Sequence, residues 1–235
     1  MDLLGLVHLS VVMMSMVTAK RFIDQMQYED HQRLRNEQFK ILSNNDPRRS
    51  QQVCTRLTRD PYFSIDMLVG QTWRIYYVWN MELPKECMDM TFRNATRKII
   101  DRIYKEMNEY LDVEPYWDTA SVLITMSRAR HEMLLFPDPG AAGSFHGVPN
   151  IIRDSSIRRV APPKMTVPLL RFHLKLLYAG KYLLMADCQL GVTTLSARRR
   201  AVSTRTEIGG IANSLNFGPG HFACQFDLNK NERLR

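Results

Sequence analysis

The run Thr72-Trp-Arg-Ile-Tyr-Tyr-Val-Trp79, entered through Gly70-Gln71, constrains the fold more than any other stretch of this chain. Its β-branched and aromatic residues favour a pleated, half-buried strand. Period-two geometry puts Trp73, Ile75, Tyr77 and Trp79 on one face of that strand. Gly70 lets the backbone bend sharply just ahead of it, and Trp73 offers a large apolar surface to plug one end of a core. Taken alone, the segment is the first strand of a β-domain.

Further strand-like segments follow at Met88–Phe92, Ser121–Met126, Met133–Phe136, Leu170–Tyr178, Tyr182–Asp187 and Thr193–Ala197. Pro137-Asp-Pro-Gly140, Gly180 and Gly191 mark tight turns between them. From Ala95 to Leu111 the texture changes. Ile99, Ile100, Ile103, Tyr104, Met107, Tyr110 and Leu111 fall at helical spacing with charged residues between them, which reads as an amphipathic helix or as an unresolved pair of strands. Residues 140–168 mix prolines and glycines with charges and predict a long loop region, with short strands at most. No internal repeat is visible.

With 235 residues, 45% of them apolar, the chain can bury one domain of about 150–200 residues with extensions. It opens on Leu3-Leu-Gly-Leu-Val-His-Leu-Ser-Val-Val-Met-Met-Ser-Met-Val17, shorter than the roughly 20 apolar residues that span a bilayer. Val17 and Ala19 occupy the −3 and −1 positions that a signal peptidase prefers, so residues 1–19 are expected to be a signal peptide cleaved before Lys20. Asp2, in place of a basic residue, leaves an uncleaved anchor or a buried amphipathic helix as alternatives. Residues 20–60 are polar and charged, broken at Asn44-Asn-Asp-Pro-Arg-Arg-Ser50, and predict an N-terminal extension. The β-domain is then expected over 61–228, with 229–235 as a tail.

Cys54, Cys87, Cys188 and Cys224 are separated by 33, 101 and 36 residues, with no Cys-x-x-Cys and no nearby histidine pair. That spacing does not make a zinc site, and neither a metal nor a cofactor is expected. An even number of cysteines behind a signal sequence predicts two disulfides in an oxidising compartment, with three pairings open. Asn94-Ala-Thr96 is a glycosylation sequon, which makes Asn94 a candidate glycoprotein site. The formal charge of +8, or +9 without residues 1–19, invites a nucleic-acid reading. The basic residues are scattered, however, and none interleaves with aromatics as in a base-stacking module. Nucleic acid is not expected as a partner. Solvated charge on a secreted protein accounts for them, with an anionic surface or a receptor as possible contacts.

With Gly70-Gln-Thr-Trp73, Lys181-Tyr-Leu-Leu-Met-Ala-Asp-Cys188 and Leu195-Ser-Ala-Arg-Arg199 in hand, the chain resembles the lipocalins, and insect bilin-binding lipocalins most closely. In that family a Gly-x-Trp opens the first strand; here one residue is inserted. A later strand runs from Tyr to Cys over six positions, as Tyr182 and Cys188 do. The last barrel strand ends in Leu-Ser-Arg, here Leu195-Ser196-Ala197-Arg198. The Thr-Asp-Tyr usual before the tyrosine is replaced by Leu177-Tyr178-Ala179, and residues 93–168 match nothing specific to the family. The resemblance covers residues 54–92 and 170–226. It implies a mainly β fold, an eight-stranded up-and-down antiparallel barrel with helical segments outside it. It also implies the pairings Cys54–Cys188 and Cys87–Cys224, and a barrel floor built by Gly70, Trp73 and Arg198 with the guanidinium over the indole.

Such a barrel holds a small hydrophobic ligand, for instance a pigment, a fatty acid or a retinoid-like molecule. Strand parity offers Ile75, Tyr77, Trp79, Tyr182 and Leu184 as its ligand-binding residues, with Trp79 about 20 Å along the strand from Trp73 and so near an open mouth. Catalysis finds little support. Ser144 lies near His146, but neighbours on a loop rarely couple without a third orienting group, and no enzyme activity is expected. The expected function is extracellular transport of a small hydrophobic ligand. The alternative is a secreted or surface-tethered interaction protein that keeps the barrel as a scaffold.

Overall fold

The computed structural model describes residues 40–41, 53–57, 62–83, 86–126, 132–152, 163–187, 189, 191–201 and 203–232. The expected signal peptide, most of the expected extension and the last residues of the tail lie outside them. Eight strands follow one another: β1 (Thr72–Trp79), β2 (Asp89–Asn94), β3 (Val122–Met126), β4 (Glu132–Pro137), β5 (Ser144–Pro149), β6 (Leu170–Leu177), β7 (Tyr182–Asp187) and β8 (Val192–Arg198). Each pairs antiparallel with the next, and β8 pairs back onto β1. The result is a closed up-and-down barrel, and closure satisfies the edge hydrogen bonds that an open sheet would leave exposed. The mainly β, eight-stranded expectation holds.

Helices α1 (Ile65–Leu68), α2 (Arg97–Met107), α3 (Arg205–Leu215) and α4 (Gln225–Glu232) lie outside the wall. Helix α2 settles the ambiguity of the 95–111 segment. Its Ile100, Ile103 and Met107 are buried and pack with Leu123, Leu134, Phe136 and Val148 from the outer faces of β3, β4 and β5. The 3.6-residue period therefore served to cover a sheet from outside rather than to build the barrel. Helix α3 starts at Thr204, whose hydroxyl accepts from Glu207 N at 3.2 Å. It sets Ile208, Ile211 and Ala212 against Tyr182, Leu184, Leu195 and Ala197 of β7 and β8.

Two local features depart from expectation. Residues 144–149, within the stretch read as a long loop region with short strands at most, form a full strand of the wall, paired on both sides. Gly147 obscured it, because glycine is normally depleted in strands. Here glycine is needed: a Cβ at 147 would lie 2.7 Å from Met133 Sδ and 2.9 Å from Phe172 Cε2. The second feature lies in β1. Leu195 faces Tyr77 while Ser196 faces Ile75, so Tyr76 is an extra residue. This β-bulge flips the parity of everything that follows it. Below the bulge β1 pairs with β2; above it the free edge is taken by a short strand β9 (Gly220–Phe222). The Cys87–Cys224 disulfide fixes that arrangement beside β9.

Candidate ligand site in the barrel interior

One end of the barrel is sealed by residues around Trp73, which is fully buried. Arg198 Cζ lies 5.6 Å from the centre of the Trp73 ring system, and Trp73 Nε1 donates to Leu68 O at 3.5 Å. Gly70 makes the turn into β1 at φ +76°, a conformation that side chains with a Cβ resist, and its N–H donates to Phe92 O at 2.8 Å. Ile65, Met67, Leu68 and Val69 pack from below against the same interior cluster.

The wall above this floor is apolar and rich in sulfur. Ile75 and Val78 of β1, Phe92 of β2, Ile124 of β3, Met133 of β4, Phe145 of β5, Phe172 and Leu174 of β6, and Leu183 and Met185 of β7 belong to one buried cluster. Methionine adapts its shape readily, so such a wall can repack around a guest. Strand β8 differs. Beside apolar Val192, its inward positions include Thr194 and Ser196, each set between interior residues: Thr194 opposite Val78 and Met185, Ser196 opposite Ile75 and Leu183. Thr194 is 2% exposed and Ser196 is fully buried, and the hydroxyl of neither makes a hydrogen bond.

Of the five residues expected to line the site, only Ile75 faces the interior. Tyr77 and Trp79 lie beyond the bulge and point outward. Trp79 packs its ring 5.5 Å from Phe217, and Tyr77 sits 5.1 Å from Phe222. Tyr182 and Leu184 also face outward, beneath α3, and their neighbours Leu183 and Met185 point inside. The placement of Trp79 at an open mouth is corrected accordingly. On β1, β7 and β8, parity reasoning missed the interior residues Val78, Leu183, Met185, Thr194 and Ser196. All six residues of β7 are buried because one face lines the barrel and the other lies under a helix. A strand covered on both sides carries no alternation to read.

On the outer wall, Arg74 grips Asp89 with two hydrogen bonds of 2.6 and 2.9 Å and also bonds Asp227 of α4, while Tyr76 Oη donates to Asp227 at 3.2 Å. The bonds to Asp89 and Asp227 hold the Arg74 guanidinium above its ordinary pKa. Burial, together with the Asp227 charge, pushes the Tyr76 phenol up, so it stays a donor. The cluster ties the C-terminal helix to β1.

Ser144 does have a histidine partner, but it is His173 across the β5–β6 ladder, with Ser144 Oγ 2.6 Å from His173 Nδ1. His146 instead places Nε2 2.6 Å from Asp138. Burial lowers the His173 pKa below the ordinary imidazole value, with nearby Asp138 opposing. Ser144 is only 3% exposed.

Cys87 and Cys224 are disulfide-bonded to each other. Cys54 is also disulfide-bonded, and its expected partner Cys188 lies outside the described residues. Asp227 lies beside the Cys87–Cys224 sulfurs, but both thiols are consumed by the bond, so the group has no thiolate to offer a metal. Asn94 is exposed at the end of β2. No helix among the described residues is long and apolar enough to cross a membrane. No family model, no curated protein and no solved structure matches the chain.

Proposed function

We propose that this protein is an extracellular, lipocalin-like carrier that holds one small hydrophobic ligand inside the barrel. The observation that carries this reading is the closed eight-stranded barrel with an apolar, methionine-rich inner face and a floor sealed by Trp73, Leu68 and Arg198. An eight-stranded barrel is wide enough for one such guest. Removal of apolar surface from water, at about 25 cal/mol per Å², supplies the driving force. The disulfides and the apolar N-terminal run favour secretion, since disulfides persist in oxidising compartments.

Native mass spectrometry of protein from a secretory host, followed by titration with fatty acids, retinoids and tetrapyrroles, tests the reading. A retained small apolar molecule, or micromolar binding that hardly changes with salt, supports it. No adduct and no binding across the panel returns the function to the outer surface, with the barrel as scaffold.

A further inference from the structure

Thr194 and Ser196 stand two residues apart on one strand, about 7 Å along it, on a mostly apolar wall. A buried hydroxyl without a partner costs stability, and native proteins rarely leave one. Here two neighbours are left, both facing the space proposed for the ligand. A threonine and a serine at these positions could be replaced by valine and alanine of nearly the same shape, which would satisfy the packing without that cost. A ligand group that hydrogen-bonds them would offset it.

The charged groups nearby decide what kind of partner fits. At the floor, the Arg198 guanidinium is laid over Trp73, and its Nε, like the two hydroxyls, is buried without a hydrogen-bond partner. At the opposite end of β7, Asp187 shares the inward parity of Leu183 and Met185, is 2% exposed, and accepts from Gln189 N at 2.8 Å. It stands opposite Val192, two residues from Thr194, so a ligand carboxylate placed at Thr194 would share that end of the barrel with a second carboxyl group. Two hydroxyls that can each donate or accept suit an uncharged group instead.

We infer that the barrel selects an apolar molecule carrying a neutral hydroxyl or carbonyl group, which hydrogen-bonds Thr194 and Ser196. This rests on the carrier reading and deepens it. The hydrocarbon body lies against the methionines and phenylalanines, and the polar group docks on β8.

Equilibrium dialysis with 2-naphthol, naphthalene and 2-naphthoate, three probes of one shape, tests the inference on wild type, Thr194→Val, Ser196→Ala and the double variant. Wild type should bind 2-naphthol about tenfold tighter than naphthalene, the gain expected from one or two net hydrogen bonds. It should bind 2-naphthoate more weakly than 2-naphthol. The double variant should bind naphthol and naphthalene equally, and in the absence of ligand it should melt no lower than wild type. Equal affinities in wild type, or discrimination that survives both substitutions, overturn the inference and leave the carrier reading standing. Tightest binding of 2-naphthoate also overturns it, because Arg198 would then be the anchor. A ligand-free double variant that melts several degrees lower shows that the hydroxyls are already satisfied inside the protein, by a buried water for example, and overturns it too. Binding of none of the three probes by protein that takes up a ligand from the wider panel sinks the inference alone. Failure of both sets sinks the carrier reading with it.

Discussion

Replacing Trp73 by alanine should damage the fold clearly more than truncating the partly buried Trp117. Trp73 is fully buried, seals the floor, and carries Arg198 on its face. A tryptophan side chain buries about 150–250 Å², which at about 25 cal/mol per Å² is roughly 4–6 kcal/mol of transfer free energy. The surrounding Leu68, Ile75 and Phe92 relax only partly into the void, and the Arg198 guanidinium loses the aromatic face that shields it. Measured tryptophan-to-alanine losses of about 3–5 kcal/mol set the expected scale. For a domain of this size that is about 6–20 °C in melting temperature. Equilibrium denaturation with the disulfides intact gives the number directly, provided the slope with denaturant is unchanged. Trp73→Phe should recover a large part of the loss. Trp117→Ala, where the ring is only partly buried against Tyr104 and Phe136 on the outer face, should cost clearly less. A Trp73→Ala protein within about 1 kcal/mol of wild type would refute the floor, because no fully buried indole can be removed so cheaply.

The Cys87→Ser/Cys224→Ser pair should lower stability by about 2–5 kcal/mol, read by denaturation against the unreduced protein, since the bond closes a span of 137 residues. His173 should make the fold acid-sensitive. Its folded pKa is depressed, so the unfolded chain binds the proton more readily, and stability is full above about pH 6.5 and falls as pH drops through the folded pKa. His173→Gln should flatten that slope in melting curves taken between neutral and mildly acidic pH. Gly220→Ala should cost about 1–3 kcal/mol by overpacking, because its Cβ would stand 2.6 Å from Val78 O and 2.5 Å from Tyr77 Cε1. Thermal melts of that variant with the Cys87–Cys224 bond intact would measure the cost.

The barrel itself was largely legible in the sequence, and the inside of the barrel was not. Seven of the eight strands announce themselves through β-branched and aromatic runs, and the turns at Gly140, Gly180 and Gly191 fall where the backbone needs positive φ. Strand β5 was hidden because Gly147 is there for space against Phe172 and Met133, a reason that exists only in three dimensions. The α2 helix was visible in its period, but not that its apolar face would lie on the outside of β3–β5. The ligand residues failed for two physical causes. One extra residue at Tyr76 in the register against β8 turned Tyr77 and Trp79 outward, and nothing in Trp-Arg-Ile-Tyr-Tyr-Val-Trp distinguishes a bulge from a regular strand. In β7 both faces are buried, so Tyr182 and Leu184 gave no sign of pointing at α3 rather than at the interior. Composition hid the polar stripe as well, since Thr193, Thr194 and Ser196 look alike until the register shows which face inward.

The orientation of β1 and the presence of a ligand inside it can be tested together with two single-tryptophan proteins. Trp79→Phe/Trp117→Phe keeps only Trp73 on the interior face, and Trp73→Phe/Trp117→Phe keeps only Trp79 beneath Phe217. A brominated long-chain alcohol, which quenches indoles at near-contact range, is titrated into each. The account predicts saturable quenching of Trp73 with micromolar or tighter affinity and little change at Trp79. Quenching of Trp79 with Trp73 untouched, or no quenching of either, would contradict the claim that the barrel interior is the binding site.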